Sequence, residues 1–164
     1  MSSQTHSIAL ALGSNLGDRQ AVLRAAIAGF APDIVTVKQS LVYETAAAYV
    51  TDQPPFLNMA VLAETRLEPL PLLRELKRLE TELGRAPTFR YGPRLLDIDI
   101  LFYDDQVFVL PELILPHSRM AEREFVLKPL ADIAPDWKHP QSGQTVTDML
   151  GLVASTAPVC LGNL

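Results

Sequence analysis

Residues 34 to 65 decide the fold. Ile34-Val-Thr-Val-Lys-Gln-Ser-Leu-Val-Tyr-Glu44 is rich in β-branched side chains. Leu57-Asn-Met-Ala-Val-Leu-Ala-Glu-Thr65 alternates Leu57, Met59, Val61 and Ala63 against Asn58, Ala60, Leu62 and Glu64. Both read as strands, because a period of two carries successive side chains to opposite faces. Residues 45 to 56 between them hold Thr45, three alanines, Tyr49 and Asp52-Gln53-Pro54-Pro55. No helical period fits that segment, and strands joined without a crossover helix pair antiparallel.

Outward from this pair, strands and helices interleave. Ser7 to Leu12 reads as a strand ended by Gly13, and Asp18 as the N-cap of a helix burying Val22, Leu23, Ala26, Ile27 and Phe30. Downstream, Leu72, Leu73, Leu76, Leu79 and Leu83 form one helical stripe, with Pro69 and Pro71 before it and Gly84 as its stop. A loop over 85–94 follows, then a strand from Leu95 to Tyr103, with Gln106 to Leu110 pairing back on it as a hairpin. Short helices are expected over 121–133 and 144–153. The order predicts one α+β domain spanning 1–164. Its ferredoxin-like β-α-β-β-α-β core has a mostly antiparallel sheet flanked by helices in an α/β/α sandwich. Residues 154–164 read as a tail with no assigned role.

The chain has 164 residues, 48% of them hydrophobic, enough to bury a core without staples. Its one cysteine, Cys160, excludes a disulfide framework and a thiolate zinc site. A net charge of −5 runs against a broad nucleic-acid face. No apolar run reaches the roughly 18 residues of a membrane span, and the polar start, Met1 to His6, lacks a signal core. These features predict a soluble, reduced, cytoplasmic protein that binds neither nucleic acid nor membrane.

Asp97 and Asp99 carry the strongest chemical signal. They lie two apart in a strand whose other face is Leu96, Ile98, Ile100 and Phe102, so both carboxylates share a face about 7 Å apart. Like charges at that range repel by roughly 2–3 kcal/mol at an effective dielectric of 20. A divalent cation would turn that cost into a site, and all-oxygen ligands with open positions favour Mg²⁺. A solvated, functionless pair is the alternative. Arg85, Arg90 and Arg94 lie just upstream, and His117, Arg119 and Arg123 downstream. Arginines beside a metal-binding pair suit phosphoryl transfer. Gly13-Ser14-Asn15-Leu16-Gly17-Asp18 either cradles a phosphate at a helix N-terminus or is a tight turn with an N-cap.

With these motifs in hand, the chain resembles the 6-hydroxymethyl-7,8-dihydropterin pyrophosphokinases of folate biosynthesis. The resemblance rests on Ala11-Leu-Gly-Ser-Asn-Leu-Gly-Asp18, Tyr43-Glu-Thr45, Gln53-Pro-Pro-Phe-Leu-Asn58, Gly84-Arg85, Tyr91-Gly-Pro-Arg-Leu-Leu-Asp-Ile-Asp-Ile-Leu101, Pro116-His117 and Arg123-Glu-Phe-Val-Leu-Lys-Pro-Leu130. These occur in the family's order over residues 7 to about 150, and the Gly-Pro-Arg-x-x-Asp-x-Asp-Ile run is the specific one. It implies transfer of the β,γ-diphosphate of ATP to the pterin hydroxymethyl group, releasing AMP. By position, Asp97 and Asp99 would hold two Mg²⁺ ions. Arg85 and Arg94 would hold the transferring phosphates. Lys77, Glu80, Arg90, Tyr91, Ile100, His117 and Arg123 would contact ATP. Thr45, Phe56, Asn58 and Phe125 would form the pterin site, with the two phenylalanines sandwiching the ring. The resemblance also implies a monomer whose loops 45–56 and 85–93 close as lids.

This chain departs from the family pattern in its loops. Tyr91 stands for a tryptophan, Pro87 for an arginine, Lys77 for a glutamine, and Ala46 and Ala47 for prolines. A nucleotidyltransferase would also pair Gly-Ser with Asp-x-Asp, but Gly13-Ser14 lies more than eighty residues from Asp97. A non-catalytic RNA-binding module of the same core would need exposed aromatics on central strands, and residues 7–12 carry none. A degenerate, inactive homologue is the remaining alternative.

Overall fold

The computed structural model describes residues 4–47, 49, 52–84 and 95–164. The expected loop residues Arg85, Pro87, Arg90, Tyr91 and Arg94 lie outside them. Among the described residues eight strands and four helices follow in the order β1 (His6–Ser14), α1 (Arg19–Ala28), β2 (Ile34–Gln39), β3 (Val42–Thr45), β4 (Phe56–Thr65), α2 (Pro69–Glu82), β5 (Asp97–Tyr103), β6 (Phe108–Val109), β7 (Ile114–Leu115), α3 (Glu124–Ile133), α4 (Val146–Leu152) and β8 (Val159–Gly162). A 3₁₀ turn, Met120–Glu122, precedes α3.

The main sheet runs β5-β1-β4-β3-β8, with β2 also on β4, and its pairings are antiparallel. This is the ferredoxin-like order, in which the first and third strands of the β-α-β-β-α-β unit lie at the centre. The second strand is in two pieces. Ser40 breaks it because its hydroxyl accepts the Ala60 N–H at 2.8 Å while its own N–H donates to the Ala60 carbonyl at 2.9 Å.

Two cores follow from the alternation. Leu10, Leu12, Leu57, Met59, Val61, Ile98 and Ile100 meet Leu23 and Ala26 of α1 and Leu72, Leu76 and Leu79 of α2. Ala9, Ala60, Leu101 and Phe102 meet Val126, Leu127 and Leu130 of α3 and Val146 and Met149 of α4. Helices therefore cover both faces, and the α/β/α sandwich holds. Asp18 caps α1 as its spacing predicts, accepting the Ala21 N–H at 3.1 Å. Gly84 follows α2 at φ +87°, a conformation that favours glycine.

Two expectations need correction. The stretch 106–110 does not pair back on β5; β6 pairs with β7. Phe102, expected with Ile98 and Ile100 on the face opposite the aspartates, packs instead with Ala9 and Ala60 in the second core, because β5 shifts register before it. Within the tail, β8 extends the sheet beyond β3.

Candidate active site

The register lines up three strand ends. Gly13 on β1 pairs with Asn58 on β4 and with Asp97 on β5, and Tyr43 on β3 pairs with Asn58. Paired residues in a ladder project to the same face, so Asp97, Gly13, Asn58 and Tyr43 form one row. Asp99 and Ala11 form the next row, and Thr45 pairs with Phe56. Asp97, Asp99, Thr45, Phe56 and Asn58 thus share the face that α3 covers further along. Gly13 leaves a gap in the middle of the row: a Cβ there would lie 3.1 Å from Asn58 Oδ1 and 3.7 Å from Phe56 Cδ1.

Asn58 is buried, and its amide donates to Thr45 Oγ1 at 2.6 Å. That bond fixes the amide and leaves its oxygen facing the gap over Gly13. Phe56 and Phe125 are half-buried, Phe125 in the first turn of α3, with the Arg123 guanidinium 5.5 Å over its ring. The Arg123 Nε also donates to the Tyr49 hydroxyl at 3.0 Å, and Arg119 lies 4.6 Å over the Tyr49 ring. Nothing in the alanine-rich loop around Tyr49 signals from sequence which element it meets.

His117 reaches the carboxylate pair through a bulge. Leu10 pairs with Ile100 and Ala9 with Phe102, so Leu101 is the extra residue of β5. Its carbonyl accepts the His117 N–H at 3.0 Å. His117 Nε2 then stands 4.0 Å from Asp99 Oδ2, and Nδ1 accepts the Arg119 backbone N–H at 3.2 Å. An accepting Nδ1 assigns the proton to Nε2. Burial, then Arg123, pushes the His117 imidazole down to about 4, against the opposing pull of Asp97. The ring is neutral at pH 7 and presents an N–H toward the acidic pair.

Burial, then the Asp97 charge, pushes the Asp99 carboxyl up to about 7, although Lys77 and Arg123 oppose the shift. Burial and the like charge of Asp97 make the ionised form of Asp99 costly, a cost that a divalent cation would relieve. Among the described residues no group of three or more His, Cys, Asp or Glu stands close enough to cage a metal. A two-carboxylate site fits Mg²⁺, which keeps waters and takes substrate phosphates as its remaining ligands.

Two expected nucleotide contacts sit differently. The Ile100 side chain belongs to the core, 4% exposed, so only its main chain can reach a ligand. Glu80 is 1% exposed and turned inward, its Oε2 accepting the Ile98 N–H at 2.9 Å, with Lys77 Nζ 3.1 Å from Oε1. The Gly13–Asp18 segment resolves to the turn reading in its described contacts. Asn15 donates to Gln53 Oε1 and the Pro54 carbonyl, both at 3.0 Å. Arg19 donates to the Pro55 carbonyl at 3.0 Å and pairs with Glu44 at 2.8 Å. The segment holds the loop that feeds Phe56 and Asn58 into the site. The long separation of Gly13-Ser14 from Asp97 is not a spatial one, since Gly13 pairs with Asp97. What counts against the nucleotidyltransferase reading is that Ser14 is fully buried, its hydroxyl 3.5 Å from the Leu16 carbonyl.

Residues 9–135 match the model of the 7,8-dihydro-6-hydroxymethylpterin-pyrophosphokinase (HPPK) family. The 2-amino-4-hydroxy-6-hydroxymethyldihydropteridine pyrophosphokinase of Bacillus subtilis is 46% identical over 126 residues, 76% of this chain and 75% of that protein. The mitochondrial folate synthesis bifunctional protein of Arabidopsis thaliana is 47% identical over 132 residues, 80% of this chain and 24% of that protein. The chain spans about a quarter of the length of such bifunctional relatives. A crystal structure of Plasmodium falciparum HPPK-DHPS shares the fold, with TM-score 0.77 at 17% identity over 90% of this chain and 45% of that one. No helix among the described residues is long and apolar enough to cross a membrane. Matched over most of its length by the family model, and built around the acidic strand the resemblance rests on, the chain belongs to the HPPK family.

Proposed function

We propose that the protein transfers the β,γ-diphosphate of ATP to the hydroxymethyl group of 6-hydroxymethyl-7,8-dihydropterin, releasing AMP. The observation that carries this reading is the row Asn58–Gly13–Asp97. Three adjacent strands about 4.8 Å apart place the Asn58 amide and the Asp97 carboxylate on the order of 10 Å from each other. That span suits a flat bicyclic ring read at one end by an amide and reacting at the other beside a carboxylate. Gly13 supplies the floor on which the ring lies, and Phe56 and Phe125 the faces that stack on it.

Asp97 and Asp99 would hold Mg²⁺, two ions in this reading; bound there, the metal would neutralise triphosphate charge and acidify the attacking hydroxyl. The chain's own groups do the rest. His117 donates from Nε2 to a non-bridging oxygen without changing charge, and Arg123 adds a fixed positive fork. The main chain of Ile100 and the ammonium of Lys77 border the nucleotide. Arg85, Arg90, Tyr91 and Arg94 complete the phosphate and adenine contacts in the reading by resemblance. Binding both substrates over one sheet face brings the alcohol in line with the β-phosphorus, the proximity contribution to the rate. The protein works as a monomer in this reading, in the cytoplasm, where a lone thiol stays reduced.

Product analysis tests the proposal. ATP, the pterin and Mg²⁺ should give AMP and pterin diphosphate in equal amounts. Release of pyrophosphate would indicate nucleotidyl transfer instead. Asp97→Ala should abolish turnover while far-ultraviolet circular dichroism stays unchanged; near-normal turnover in that variant would remove the metal pair from the mechanism.

A further inference from the structure

Among the described residues β5 is an edge strand, with β1 as its partner in the main sheet. In an antiparallel ladder alternate residues turn their N–H away from the neighbour. Ile98, between Asp97 and Asp99, is such a residue, and its N–H needs a partner. α2 lies against the opposite face of the sheet from the two aspartates, and its Glu80 reaches to the edge and accepts that N–H at 2.9 Å. The Glu80 side chain is 2% exposed, a costly place for a carboxylate unless it is paired. Lys77, one turn back on α2, provides the pairing at 3.1 Å.

We propose that Glu80 is a positioning residue: from behind the strand it fixes the backbone between Asp97 and Asp99, and so sets the separation and direction of the two carboxylates. This rests on the reading of that pair as the metal–nucleotide site. The geometry separates the two ends of α2's contribution. Lys77, 46% exposed at its side chain, faces the solvent side, while Glu80 spends its oxygens inside. A carboxylate one strand edge away from a metal site acts on it as an outer partner acts on a ligand, by orientation. Loss of such a partner costs roughly ten- to a hundredfold in metal affinity. A glutamine retains an acceptor oxygen for the Ile98 N–H and removes the charge, so it separates orientation from electrostatics.

The test compares wild type, E80A and E80Q by four measurements. These are Mn²⁺ affinity in the presence of a non-hydrolysable ATP analogue, pterin affinity without metal, melting temperature, and hydrogen exchange at the Ile98 amide. E80A should weaken Mn²⁺ binding roughly ten- to a hundredfold and speed Ile98 exchange at least tenfold, with pterin affinity held within twofold. E80Q should restore both metal binding and exchange to within threefold of wild type. Mn²⁺ affinity in E80A within threefold of wild type overturns the proposal. So does an E80Q variant as weak as E80A, which would mean that the charge acts directly, or an equal loss of pterin affinity, which would mean general damage. If E80A does not fold, E80Q against wild type decides alone. A wild-type protein that binds no Mn²⁺–nucleotide would refute the proposed function, while Ile98 exchange would still report whether Glu80 holds the strand.

Discussion

Asp99 makes the site sensitive to pH in a way an ordinary aspartate would not. In the metal-free protein its carboxyl is pushed from 3.8 to about 7, first by burial and then by Asp97. By linkage that displacement corresponds to about 4 kcal/mol between the two ends of the window. The sign follows from linkage. The raised carboxyl favours the folded state below about pH 4 and loses that contribution as pH climbs through about 7. His117, pushed from 6.5 down to about 4, does the reverse, adding stability as pH rises over the same window. The two slopes oppose, so the metal-free protein should melt at nearly constant temperature between about pH 4.5 and 6.5. His117→Ala should uncover a falling stability over that range, and Asp99→Asn a rising one. Carboxyl carbon-13 resonances give the direct assay. The Asp99 signal should titrate near 7 without metal and below about 5 once Mg²⁺ is present, because the cation favours the ionised form. At pH 7 the metal should therefore displace about half a proton, readable from the buffer dependence of the binding enthalpy. An Asp99 resonance that titrates near 4 without metal would refute the reasoning, because the pair would then carry no cost for a cation to relieve.

Two further predictions rest on close approach. Gly13→Ala places a methyl 3.1 Å from Asn58 Oδ1, so the pterin KM should rise roughly tenfold, about 1.4 kcal/mol, while the melting temperature shifts little; an unchanged KM would place the ring elsewhere. Gly29→Ala, at the end of α1 and remote from the site, would put a Cβ 2.6 Å from Leu79 Cδ2. It should destabilise by about 1–3 kcal/mol in urea unfolding and be partly rescued by Leu79→Val, with steady-state kinetics unchanged.

Much of this molecule is written locally. The alternation of Leu57 to Thr65, the leucine stripe of α2 and the Asp18 cap each follow from spacing that the chain carries wherever it folds. So does the sharing of one face by Asp97 and Asp99, since a strand period of two requires it. The misreadings are of the opposite kind. The sequence predicts a β5 hairpin partner over 106–110, yet two residues there pair with β7, since local pattern names a strand and not its neighbour. β8 was invisible because an exposed four-residue edge strand, with Val159 57% exposed, has no apolar face to display.

The sequence by itself determined which side chains could do chemistry and that the acidic pair projects together, because those are properties of periodicity within one element. Only the tertiary structure decided that Gly13 is the floor between Asn58 and Asp97, that a bulge at Leu101 delivers His117 to Asp99, and that Glu80 faces inward to hold Ile98. The physical reason is that register between distant strands and the partner of an edge N–H are settled by the packing of the whole sheet, which no local window contains.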